Sequence, residues 1–195
     1  MKDEALMHAV RGGDVGQLGV LFDRYRAPLF DFLSRMSADR AAAEDLVQDV
    51  FVRILKYRRT YRADGCFETW MFRIARNTLA DYFRKRRTLE SIRDGDFDRV
   101  APGPGPVERL ERERETDRLK RALMLLADDK RELLVLARYR NMSYERIGAV
   151  LGIEIGAVKV RVHRAVKELR AIFLRLRDEE RTCDAKRSGT DLRIT

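Results

Sequence analysis

Cysteine and histidine are almost missing from this 195-residue chain, with two of each. Cys66 and Cys183 stand far apart, and no C-x-x-C pair occurs. That composition excludes a Cys/His metal cluster and a disulfide framework, and it fits a reducing compartment. No metal and no cofactor are expected. Long apolar runs are missing too. Nothing approaches the roughly 20 residues that cross a bilayer. The first residues, MKDEALMHAVRGGD, lack the apolar core of a signal peptide. The expectation is a cytoplasmic protein without membrane insertion. No nucleophile–base pair and no phosphate-cradling loop stand out, so an enzyme is not expected. Proline is scarce, and three of the four prolines, Pro102, Pro104 and Pro106, sit together.

Charge is abundant. Charged residues make up 37% of the chain and the net charge is +9. A basic balance favours a polyanionic partner, although it also serves solubility. Hydrophobic residues at 45% suffice for packed cores, and the length allows one medium domain or two small ones.

The most informative stretch is FETWMFRIARNTLADYFRKRR, residues 67–87. Phe67, Met71, Ile74, Thr78 and Tyr82 recur at steps of three and four, which predicts a helix with one buried stripe. Beside that stripe run Trp70, Arg73 and Asn77, an aromatic plate, a guanidinium and an amide on one face. The helix closes on Arg84, Lys85, Arg86 and Arg87. These are the parts of a single-stranded nucleic-acid site. An ordinary amphipathic helix with Trp70 half in the core has the same pattern.

Upstream, residues 4–11 predict a short helix stopped by Gly12-Gly13. Asp14 is placed to cap the next helix, whose inner face is Leu18, Leu21, Phe22 and Tyr25. Pro28 predicts a kink or a new start before Leu29, Phe30, Phe32, Leu33 and Met36. Ser37-Ala38-Asp39 ends that helix and caps another over about 40–57. There Leu46, Val47, Val50, Phe51, Ile54 and Leu55 face inward, and Asp45, Gln48, Asp49 and Val52 face outward. An acidic face with an exposed valine on a basic protein suggests a protein contact. A solvated face with an Asp49–Arg53 pair is the alternative. Gly65 supplies a turn before the 67–87 helix.

Residues 88–116 hold APGPGP and read as a mobile linker. Its last part, running on into VERLERERETDRLKR, is charged at nearly every position and reads as a solvated lead-in helix. From 117 to 176 four helices are predicted. Their inner faces are Leu119, Leu123 and Leu126; Leu133, Leu134 and Ala137, capped by Asp128 or Asp129; Ile147, Val150 and Leu151, capped by Ser143; and Val158, Val162, Ala165, Val166 and Leu169. Gly152 is the turn between the last two, which gives helix-turn-helix spacing. From Gly156 to Arg175 six basic residues face a single acid, Glu168. Lys159, His163 and Lys167 share a line flanked by Arg161 and Arg164, which suits a major groove. A basic surface helix of an RNA-binding or structural bundle is the plainer reading. The polar tail, 177–195, is expected to be loose or disordered.

Two motif sets in this order resemble the extracytoplasmic-function group of the sigma-70 family of bacterial RNA polymerase sigma factors. FETWMFRIARNTLADYFRKRR resembles the promoter-melting helix, DLVQDVFVRIL the motif that docks on the polymerase's largest subunit, and SYERIG…GAVKVR the domain that reads the minus-35 element. The resemblance implies an all-α protein of two small helical domains joined by a Pro/Gly-rich linker, the second a helix-turn-helix domain. It implies a region 2-like domain over 1–87, the linker at 88–116, a region 4-like domain over 117–176 and the tail at 177–195. Asp45, Gln48, Asp49 and Val52 would bind core RNA polymerase. Trp70, Arg73 and Asn77 would hold the melted minus-10 strand, with Arg84, Lys85, Arg86 and Arg87 on its phosphates. Lys159, Val160, Arg161, His163, Arg164 and Lys167 would read minus-35 duplex DNA. Partners implied are core RNA polymerase, promoter DNA and an anti-sigma factor. A stand-alone helix-turn-helix regulator is the rival. Three positions depart from the family run: Arg146 replaces the acid of a capping box, Ala157 lacks a capping hydroxyl, and Val160 replaces a small polar residue, which predicts altered base preference.

Overall fold

The computed structural model describes residues 1–62, 65–90, 107–139 and 142–190. Among them every regular element is helical: α1 (Asp3–Gly12), α2 (Gln17–Ser37), α3 (Arg40–Tyr57), α4 (Phe67–Glu90), α5 (Val107–Met124), α6 (Asp128–Leu134), α7 (Tyr144–Leu151) and α8 (Ile155–Thr190). A 3-10 turn follows α3, and a π-helical stretch, Val135–Tyr139, follows α6. None of these helices is long and apolar enough to cross a membrane. The chain divides into two compact units, Met1–Asp98 with Val135–Lys159, and Arg99–Leu134 with Val160–Thr195. APGPGP lies outside the described residues.

In the first unit, α1 stops where expected. Gly13 takes the left-handed conformation at φ 114°, and its N–H reaches the Val10 carbonyl at 3.2 Å. Asp14 does not cap α2. The helix begins at Gln17 without a side-chain cap, and the Asp14 carboxylate instead accepts the Gln17 amide at 3.1 Å. Nor does Pro28 open a new helix, for it lies inside the continuous α2. Tertiary packing outweighs the missing donor, because Leu21, Leu29, Phe32, Leu33 and Met36 are all buried along that helix. Asp39 caps α3 as expected, accepting the Ala42 N–H at 3.0 Å.

The core of this unit is aromatic at its centre. The Phe32 ring meets Phe72 edge to face with centroids 5.3 Å apart, and Phe22 meets Phe51 at 4.9 Å. Phe67, Met71, Ile74 and Thr78 bury the inner face of α4. The Thr78 hydroxyl donates to the Ile74 carbonyl at 2.9 Å, which satisfies its buried polar atom. Burial pushes the Tyr61 phenol up to about 12. Its hydroxyl donates to the Gly65 carbonyl at 2.5 Å.

Arg53 ties α3 to α4. Its guanidinium donates to Asp49 on its own helix at 3.2 Å and to Asp81 on α4 at 2.7 Å. The hydrogen bond from Arg53 holds the Asp81 carboxyl below its usual range.

The second unit packs α5, α6 and α8 around Leu123, Leu126, Leu133, Leu134, Val162 and Ala165. Lys130 of α6 pairs with Glu168 of α8 at 2.6 Å. Two residues expected inside are at the margin: Leu119 and Val166 are each 37% exposed. Val158, Val162 and Ala165 already define the buried line of α8, and Val166 stands roughly 100° further round the helix from Ala165. The tail is not loose where it begins. α8 continues into it as far as Thr190, and Glu180 accepts from Arg118 at 2.6 Å and from Arg121. Arg118 also stacks over the Phe173 ring at 5.4 Å. Residues 191–195, and the side chain of Cys183, lie outside the description.

Two measurements check this packing. Phe32→Ala removes half of the central edge-to-face pair and should cost about 3–5 kcal/mol in denaturant unfolding. Asp81→Asn should lower stability at neutral pH. A depressed carboxyl contributes stability above its unfolded value, about 3.9, and loses it as pH falls through the folded value. The stability gap between wild type and Asp81→Asn should therefore close on acidification below about pH 4.

Candidate nucleic-acid interface and protein-contact face

α4 presents its second row as the spacing predicts, but not all of it is open. Arg73 and Asn77 are exposed. Trp70 is half-buried, its ring edge-on to Tyr61 at 5.3 Å and beside Phe67 at 6.4 Å. The aromatic plate is thus partly a core residue, which leaves less of its surface for stacking. At the basic end, Arg84, Lys85 and Arg87 are exposed and Arg86 is half-buried. Arg84 pairs with Asp81 at 2.7 Å while its side chain stays 76% exposed.

Arg73 has a partner that its spacing does not announce. Its Nε donates to the Ala149 carbonyl of α7 at 2.8 Å, and its Nη2 reaches the same oxygen. One turn on, Arg76 donates to the Val150 carbonyl at 3.2 Å. At the head of α4, Glu68 accepts from Arg146 of α7 at 2.8 Å. Sequence reasoning does not mark Arg76, Glu68 or Arg146 as functional. The i, i+3 step from Arg73 to Arg76 is visible there, but the partners lie 74 to 78 residues away.

α3 turns its polar row outward above a fully packed inner face. Asp45 and Gln48 are exposed, Asp49 is half-buried, and Val52 is 63% exposed. Leu46, Val47, Val50, Phe51 and Ile54 are buried behind them. Asp49 makes the expected pair with Arg53, and Arg53 anchors it to α4 through Asp81. The acidic row is therefore fixed at one end by the helix that carries Trp70, Arg73 and Asn77.

α7, a glycine turn and α8 form the predicted helix-turn-helix. Ser143 caps α7, accepting the Arg146 N–H at 3.4 Å. Backbone and Ser143 hydrogen bonds hold the Glu145 carboxyl below its usual range. Gly152 sits at φ 70°, the left-handed region a turn needs here. Gly148 allows close approach: a Cβ there would lie 2.7 Å from the Ile153 carbonyl oxygen. Along α8, Lys159, Val160, Arg161, His163, Arg164 and Lys167 are all exposed, while Val158, Val162 and Ala165 are buried. Long cationic side chains over an apolar underside are what a groove-reading helix requires.

Comparison with known proteins agrees with this arrangement. Residues 21–88 match the sigma-70 region 2 family, and residues 116–169 match sigma-70 region 4. The chain is similar to the ECF RNA polymerase sigma factor SigE of Mycolicibacterium smegmatis, with 37% identity over 70% of this chain and 53% of that protein. It is also similar to the RNA polymerase sigma factor CarQ of Myxococcus xanthus, with 31% identity over 86% of this chain and 95% of that one. Among solved structures, the sigma factor RpoE of Bartonella quintana, in complex with the anti-sigma factor NepR, superposes with a TM-score of 0.65. It is 29% identical, over 79% of this chain and 94% of that one. With both regions matched in order, and a relative covered almost end to end, the chain belongs to the extracytoplasmic-function group of the sigma-70 family of RNA polymerase sigma factors.

Proposed function

We propose that this sigma factor joins core RNA polymerase through the outer row of α3 and then divides promoter recognition between two helices. Asp45, Gln48 and Asp49 make the polar contacts to the polymerase, and Val52 the apolar one. An apolar side chain that open to water, among acids on a basic protein, supports a protein partner over a DNA one. α8 reads the minus-35 duplex with Lys159, Arg161, His163 and Arg164, and Lys167 adds a phosphate contact. Val160, 49% exposed, meets a thymine methyl where the family has a small polar residue. α4 captures the minus-10 strand as it opens: Asn77 faces a base flipped from the non-template strand, and Trp70 and Arg73 support its neighbours. Unstacking a base costs a few kcal/mol, which these contacts offset. Arg84, Lys85, Arg86 and Arg87 hold phosphates.

The observation that carries this reading is the two-sidedness of α8. Every residue proposed to touch duplex DNA is exposed, over a continuous buried line. The functional modules are 1–87 and 117–176, joined by the 88–116 linker. The protein acts in the cytoplasm, recruits and positions rather than makes or breaks bonds, and is held inactive by an anti-sigma factor.

In vitro transcription with purified core enzyme tests the reading. Start-site-specific transcripts should require both proteins, and a gel shift should give weak duplex binding without core. Tight, sequence-selective duplex binding by the protein alone would instead identify a stand-alone helix-turn-helix regulator. Val52→Asp should abolish core-dependent transcription while leaving the helical content unchanged by circular dichroism. Replacing Arg84, Lys85 and Arg87 by Ala should weaken the polymerase–promoter complex for all promoters. It should also make log affinity fall less steeply with log salt, by about 0.7 in slope for each phosphate no longer neutralised, the value for single strands.

A further inference from the structure

The outer row of α4 does not stop at Arg84. Steps of three and four from Asn77 pass through Asp81 and Arg84 and end on Thr88. Thr88 is exposed, in the last turn of a helix that ends at Glu90. Four cations, Arg84, Lys85, Arg86 and Arg87, directly precede its hydroxyl. The function proposed above gives that hydroxyl nothing to do.

The helix fixes where the hydroxyl stands relative to those cations. A helical side chain leans back over the preceding turn. Thr88 shows this lean, for its Oγ1 donates to the Arg84 carbonyl at 3.0 Å. A group attached to Oγ1 therefore stands over the turn that carries Arg84 and Lys85. The Arg84 side chain is 76% exposed beside Asp81, so it is able to turn to a stronger anion. Asp81 would still keep Arg53, at 2.7 Å.

We propose that Thr88 is a phosphorylation site that switches off strand capture by the basic end of α4. The modifying enzyme is a serine/threonine protein kinase of basic specificity, with ATP as phosphoryl donor. A hydroxyl behind four cations suits an acidic substrate groove. A helix end opens at little cost to enter one. Thr88 Oγ1 attacks the γ-phosphorus of ATP, and the bond from that phosphorus to the β–γ bridging oxygen breaks. ADP leaves with the electron pair, and the hydroxyl proton passes to the kinase base. The product carries a charge of about −1.5 to −2 at neutral pH and three acceptor oxygens. It has lost the proton given to the Arg84 carbonyl, and it pairs with the Arg84 and Lys85 side chains instead. Those two cations then meet a phosphate of their own chain rather than one of DNA. The proposal rests on the reading of Arg84, Lys85 and Arg87 as phosphate contacts.

The test treats the full-length protein with ATP and the catalytic subunit of cyclic-AMP-dependent protein kinase, which selects hydroxyls behind arginines. Mass spectrometry should place a phosphoryl group on Thr88, and Thr88→Val should take none there. Wild type, phosphorylated protein and Thr88→Val are each joined to core polymerase. Each complex is titrated with a fluorescent promoter fragment unpaired at the minus-10 element. Phosphorylation should weaken binding roughly ten-fold at about 0.15 M salt. It should also reduce the slope of log affinity against log salt by about 1.4, the contribution of two single-strand phosphate contacts. Thr88→Val, with or without kinase treatment, should bind as untreated wild type does. No phosphoryl group at Thr88, or a phosphorylated protein with wild-type affinity and slope, would overturn the switch. The alanine variant of Arg84, Lys85 and Arg87 separates the two readings. An unchanged slope there would remove the phosphate contacts and the switch together. A lower slope there, beside unchanged binding by the phosphorylated protein, would sink the switch alone.

Discussion

Burial of one face of α4 is the constraint on which the rest depends. Phe67, Met71, Ile74 and Thr78 are locked into the helical core of the first unit. That fixes the rotation of the helix about its axis. Once the rotation is fixed, Arg73 and Asn77 have nowhere to face but outward, and Trp70 must stand at the boundary between core and solvent. The Arg53 bridge extends the same constraint to α3. Asp49 and Asp81 share one guanidinium, so the face proposed for the polymerase and the helix proposed for the promoter strand move as one body.

The same rigidity gives Arg73 two possible uses. A guanidinium held on a fixed helix can cap a helix C-terminus or hold a nucleic-acid strand, since both offer oxygen acceptors. In this structure the Arg73 guanidinium is engaged by the Ala149 carbonyl of α7.

Much of this is legible in the sequence because helical periodicity writes the core into it. The buried stripe of α4, the inner face of α3 and the Asp39 cap all follow from steps of three and four or from a residue's capping chemistry. What stays hidden depends on partners distant in the chain. Glu180 reaches Arg118 across 62 residues, and Arg146 reaches Glu68 across 78. Such pairs leave no periodic trace, so the tail reads as loose and Arg146 reads only as a weaker cap. The Asp14 cap fails for a local reason: its carboxylate takes the Gln17 side-chain amide rather than a backbone N–H. Periodicity predicts that Asp45, Asn77 and Lys159 face away from the core, and they are exposed. The occupation of Arg73 by a backbone carbonyl cannot be read from residue types.

If these assignments hold, the outer row of α4 touches an opened promoter strand, and only in the presence of core polymerase. A photocrosslinker introduced at Asn77 measures this directly. In a complex of the labelled protein, core polymerase and promoter, it should crosslink to the non-template strand near the minus-10 element and give no crosslink to the same duplex without polymerase. Crosslinking to intact duplex by the protein alone, or none in an open complex competent for transcription, would contradict it.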